Sequence, residues 1–160
     1  MEDFVEDLRR TVAESAPRLL GITEAEAARP LSEGRWSAKE VVGHLIDSAA
    51  NNHPRFVRGQ FRDDLVFDGY EQEAWVRAQR YNEESWSLLV ELWKNYNLHL
   101  LHVMASAPEE TLRQPRATHT LDRIAWRRID ANQPATLEYL MLDYIGHLKN
   151  HLRQIFPGDE

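Results

Sequence analysis

Four stretches of this chain repeat apolar residues at the three- and four-residue spacing of an amphipathic α-helix, and that period limits the fold more than any other feature. In the first, Phe4, Val5, Leu8, Val12 and Leu19 share a stripe, and Pro17 is expected to kink or end the helix. The second has the clearest start. Ser37 and Glu40 have capping-box spacing, and Trp36 and Val41 occupy the two positions of a hydrophobic staple. Val41, Val42, Leu45, Ile46, Ala49 and Phe56 then make a buried stripe despite Pro54 near its end. The third runs from about Asn82 to Ala107, with Trp86, Leu89, Trp93, Tyr96, Leu100 and Val103 inward, until Pro108 and Pro115 break it. The fourth opens near Pro134 or Thr136 and continues to Phe156, where Pro157-Gly158 stops it.

Shorter pieces join these helices. Thr23 and Glu26 repeat the capping-box spacing and predict a brief helical turn. Residues 60–80 read as loop, followed by a short amphipathic piece around Glu71–Arg80. Residues 113–131 lack helical periodicity and read as an extended crossover with room for a short hairpin. At 160 residues the chain reads as one domain, 1–160, able to bury roughly two-thirds of its unfolded surface. Four long amphipathic helices and one crossover predict an all-α, antiparallel four-helix bundle.

The composition removes several function classes. There is no cysteine, so disulfides, thiolate metal ligands and a cysteine nucleophile are excluded. The net charge of −7, with no separate basic block, argues against nucleic acid as a partner. The N-terminal MEDFVEDLRR lacks the apolar core of a signal peptide, and no apolar run approaches the ~20 residues of a membrane span. The expectation is a cytoplasmic protein with no membrane partner; a homodimer is compatible with it.

Histidines carry the chemistry. His147 and His151 are four residues apart, so a helix presents both on one face about 5–6 Å apart. His151 falls inside the apolar stripe of the fourth helix and His147 at its edge, which a solvated face does not explain. Two readings remain open for the pair: core histidines that hydrogen-bond, or two ligands of an ion. His44 stands in the second helix within a polar strip of Glu40, Asp47, Ser48, Asn51 and Arg55. Bundle cofactor sites are assembled from facing helices in this way, and three imidazoles would leave coordination positions open, as a catalytic ion requires. His53, His99, His102 and His119 read as surface or hydrogen-bonding residues.

The segments WSAKEVVGHLIDSAANNHPRF and TLEYLMLDYIGHLKNHLRQI resemble the second and last helices of the DinB/YfiT-like metalloproteins. The resemblance extends over essentially the whole chain and includes Tyr70, Trp75 and Tyr81 between helices. It implies a bundle of up-down-down-up connectivity and a divalent ion, nickel or zinc foremost, on His44, His147 and His151. Relatives of known activity include transferases that use bacillithiol, glutathione or mycothiol, and a mycothiol-dependent isomerase. The implied function is therefore transfer of a low-molecular-weight thiol to an electrophilic substrate. Hydrolysis by activated water and a non-catalytic metal-binding stress-response protein are the alternatives. Within this reading Asp47, three residues past His44, orients a ligand imidazole or accepts a proton as the catalytic carboxylate. Asn51 and Arg55 are the candidate substrate-binding residues, and Gln154 reads as a bundle hydrogen bond. Metal uptake is expected to weaken as pH falls through the ordinary imidazole range near 6.5.

Overall fold

A computed structural model of the protein describes residues 3–159, so Met1, Glu2 and Glu160 of the expected 1–160 domain and of the N-terminal reading lie outside the described residues. Four long helices dominate: α1 (Phe4–Leu20), α3 (Ala38–Arg58), α5 (Trp86–Ser106) and α8 (Leu137–Ile155). Shorter ones, α2 (Glu24–Ala27), α4 (Gln72–Gln79), α6 (Glu109–Arg113) and α7 (Leu121–Ile124), lie in the connections, with a 3-10 turn at Tyr81–Glu83.

The starts follow side-chain chemistry. Thr23 and Ser37 each accept from a backbone N–H three residues on, and Glu26 and Glu40 reach back in complete capping boxes. Ser85 and Thr136 cap α5 and α8 in the same sense, accepting from the Leu88 and Tyr139 amides. The third helix therefore opens four residues later than its periodicity suggests, because Tyr81–Glu83 winds as a separate 3-10 turn before Ser85. Pro17 does not end α1, which continues to Leu20. It sits in the last turn, so the bond that its missing N–H forfeits, to the Ala13 carbonyl, falls where only three residues of helix remain.

α1 packs against α5 and α8, and α3 packs against the same two helices. The stripes meet in one core, where Leu8, Leu45, Phe56, Leu89, Trp93, Leu100, Leu137 and Leu140 are almost wholly buried. The segment 113–131 is extended only in part. Arg116 pairs with Ala135 and Leu65 with the strand-like stretch at His119, as isolated bridges. No hairpin of named strands forms among the described residues, and α7 occupies the middle instead. His119, the loop histidine, ties this strap together. Its Nδ1 accepts from the Leu121 amide at 3.1 Å and its Nε2 donates to the Gln133 carbonyl at 2.6 Å. No helix among the described residues is long and apolar enough to cross a membrane.

One glycine positions the site. A Cβ on Gly43 would lie 2.2 Å from the Tyr81 ring, so only glycine lets that ring lie flat on α3 one residue before His44. A mid-helix glycine costs about 1 kcal/mol relative to alanine. Here it admits a tyrosine whose hydroxyl donates to Asp47 Oδ1 at 2.6 Å.

Candidate metal centre

α3 contributes His44 and α8 contributes His147 and His151, because these two helices face one another. His44 is fully buried; the other two are half-buried. The three Nε2 atoms converge. His44 Nε2 lies 3.3 Å from His147 Nε2, which lies 3.0 Å from His151 Nε2. Nitrogens ~2.0–2.1 Å from one tetrahedral zinc ion are ~3.3–3.4 Å apart, so the spacing is that of ligands sharing an ion. Among the described residues, these three form the cluster of potential ligands, with their ligand atoms all within 4.8 Å of one another.

Hydrogen bonding alone serves this triad poorly. His151 Nδ1 donates to Gln154 Oε1 at 3.1 Å, which leaves the Nε2 of the neutral ring as a bare lone pair. His147 Nε2 has a single proton or a single lone pair to divide between two neighbouring nitrogens. A cation at the centre satisfies all three lone pairs together, so the donor set fits a divalent ion. With cysteine absent, it is an all-nitrogen set.

Electrostatics favour the same state. Burial first, then the neighbouring His151 and His147, pushes the His44 imidazolium down to about 3. Burial, then His151, brings His147 down to about 4. His151 is lowered by burial, against the opposing hydrogen bond of Gln154. His44 and His147 therefore stay free bases well below the ordinary range, and His151 is shifted in the same direction. Protons compete with a metal only at more acid pH than the value near 6.5 that the sequence suggests.

The rest of the sequence-derived set divides. Asp47 is buried three residues past His44, and its Oδ1 accepts from Tyr81 and, at 2.8 Å, from Gln79 Nε2. Asp47 Oδ2 and His44 Nδ1, one helical turn apart, are both buried with no hydrogen-bond partner. Burial raises the Asp47 carboxyl, and the bonds from Tyr81 and Gln79 oppose that rise. Arg55 lines a cleft of about 400 Å³ together with His147 and His151. Asn51 is turned to its own helix, donating to the Asp47 carbonyl at 2.9 Å, and does not line that cleft.

The DinB superfamily matches residues 7–155 of the sequence. The chain belongs to the DinB superfamily. It is 25% identical over 136 residues to "Putative metal-dependent hydrolase YfiT" of Bacillus subtilis (strain 168), covering 84% of this chain and 70% of that protein. The solved structure of YfiT from Bacillus subtilis, described as having an unusual four-helix bundle topology, superimposes with a TM-score of 0.75. That match covers 95% of this chain and 81% of the other at 19% identity, a likeness of fold.

In this DinB-superfamily member the residues around the triad include several that sequence reasoning passed over. Trp36, taken as half of a staple, has its ring 5.1 Å from that of His44 and 6.4 Å from that of His151. Trp126 stands 6.2 Å from His147, where Gly146 permits close approach: a Cβ there would lie 3.2 Å from the indole. Gln154 is a partner of His151 rather than a contact between helices, and its position three residues past His151 was the available signal.

The depressed imidazoles set a pH dependence for the metal-free protein. Their folded-state pKa values lie below the unfolded value of about 6.5, so the unfolded chain takes up protons first. Stability is complete above about pH 6.5 and falls as pH drops toward 4 and 3. The raised carboxyls of Asp47 and Asp143 act in the opposite sense, so a variant comparison is needed. Urea midpoints of metal-free wild type should fall between pH 7.5 and 5, and His44→Gln should fall less. Parallel profiles would contradict the assignment of buried neutral imidazoles.

Proposed function

We propose that this chain is a divalent-metal-dependent enzyme that transfers a small external thiol to an electrophilic substrate. Nickel and zinc are the leading ions, since imidazole suits both. The observation that carries the reading is three convergent Nε2 atoms, two of them on the wall of a substrate-sized cleft. A divalent ion held by three neutral imidazoles keeps its full charge and open positions, lowering the pKa of water or a thiol that binds there.

The residues of the chain supply the remaining parts. With no cysteine of its own, the protein must take a thiol nucleophile from solution. Asp47 is a positioning residue in this reading. Its Oδ2 and His44 Nδ1 are each without a partner one helical turn apart, and a hydrogen bond joining them would fix the ring with Nε2 toward the triad and raise its basicity. Tyr81 and Gln79 hold the carboxylate in that orientation. Gln154 does the same for His151. Trp36 and Trp126 keep bulk water from two sides of the rings. Arg55 holds substrate, and Asn51 contributes by stiffening α3 beneath Asp47.

Hydrolysis is the second reading, supported by the name of the Bacillus subtilis relative. Loss of substrate from a panel of electrophiles, with and without each low-molecular-weight thiol, separates the two. Metal-loaded wild type should turn over only with thiol, and His44→Ala should lose that turnover. Equal thiol-free turnover that His44→Ala abolishes would establish hydrolysis instead. No turnover in either arm would leave a non-catalytic metal-binding protein.

A further inference from the structure

The cleft beside the histidines carries a charge opposite to that of the chain. The protein has a net charge of −7, yet Arg55, Arg123 and Arg128 line this cleft against the single carboxylate of Asp143. Both Asp143 oxygens are already engaged, accepting from the Trp126 and Arg127 amides at 2.8 Å each. Arg55 is 5% exposed, and it donates to neutral oxygens: Asn52 Oδ1 at 3.3 Å and the Asp68 carbonyl at 2.6 Å. The exposed Asp68 side chain supports its charge from a distance, as does Tyr70. A guanidinium buried without a paired carboxylate is costly unless an anion completes it. Arginine's planar fork matches a carboxylate in two parallel bonds. Beside these cations, Ile124, Trp126 and Leu140 give the same cleft an apolar wall.

We propose that the cleft binds a small organic acid, its carboxylate held by Arg55 with Arg123 and Arg128 at the mouth and its apolar body against Trp126 and Leu140. The inference rests on the preceding reading in taking this cleft as the seat of the electrophile, and it adds that the electrophile carries a carboxylate. Its size, about 400 Å³, suits a compact acid rather than a polymer.

Phenylacetate and its neutral isostere phenylacetamide test this directly. Each is titrated into metal-free protein, which removes direct carboxylate–metal contact, while the Trp126 indole N–H resonance is followed. Phenylacetate should shift that resonance saturably and bind about tenfold or more tighter than the amide, the increment of a charge-assisted pair. Arg55→Gln should bring the acid to the affinity of the amide. The double variant Arg123→Gln/Arg128→Gln, on exposed positions, should weaken the acid selectively and keeps the test standing if Arg55→Gln does not fold. Equal affinity of acid and amide for wild type, no saturable shift with either, or an acid preference unchanged in the folded variants would overturn the proposal. Thiol-dependent turnover of neutral electrophiles without acid binding would remove this inference alone. Acid binding through the arginines without turnover would remove only the transferase reading.

Discussion

Saturating divalent metal should raise the melting temperature of the protein by about 8–16 °C. A ligand that binds only the folded state at about 1,000 times its Kd contributes ~4 kcal/mol, and each kcal/mol is worth ~2–4 °C for a chain of 150–250 residues. The gain requires a site that exists before metal arrives, and the triad meets that condition. His44 is held by α3 at full burial, while His151 is held by Gln154. The core is independent of the ion, since Trp93, Phe56, Leu8, Leu89 and Leu100 pack without contribution from the histidines. Metal-free protein should therefore retain helical circular dichroism and still melt cooperatively. The increment should grow with free metal concentration and vanish in His147→Ala. Unfolded metal-free protein would refute this, as would a melting temperature indifferent to metal.

The long helices were legible because their burial follows a simple period. α3 and α8 each announced themselves through a cap and an apolar stripe, and α8 closes at Ile155, one residue before the expected end. The triad was legible for the same reason: His147 and His151 lie a turn apart on a face that the neighbouring leucines mark as inward. What stayed hidden depends on contacts between distant segments. Nothing local in Tyr81 says that it will lie on Gly43 and bond Asp47, since the pair is 34 residues apart in sequence. The segment 113–131, which reads as an extended crossover with room for a hairpin, forms no hairpin of its own because its backbone partners, Leu65 and Ala135, lie outside it. Arg55 could be nominated from the polar strip of α3. Its company of Arg123 and Arg128 could not, because those arrive from the segment whose structure was least regular. Asn51 stood in the same strip, yet the close approach of its amide to the Asp47 carbonyl turns it away from the cleft.

The central claim is that His44, His147 and His151 hold one divalent ion between them. Removing a ligand from an open three-histidine site should cost more than the ~10–100-fold typical of changes to the groups that orient ligands. His151→Ala should therefore lose more than about 100-fold in affinity. Asp47→Asn, which leaves all three rings in place and alters only the buried carboxylate one turn from His44, should fall within the smaller range. His102→Ala provides the control, since His102 lies on α5 beside His99 and outside the triad. The direct measurement is metal content per chain after loading and exhaustive removal of free ions. It should give one equivalent for wild type and His102→Ala, and close to none for His151→Ala. Equal metal content in His151→Ala and His102→Ala would contradict the account.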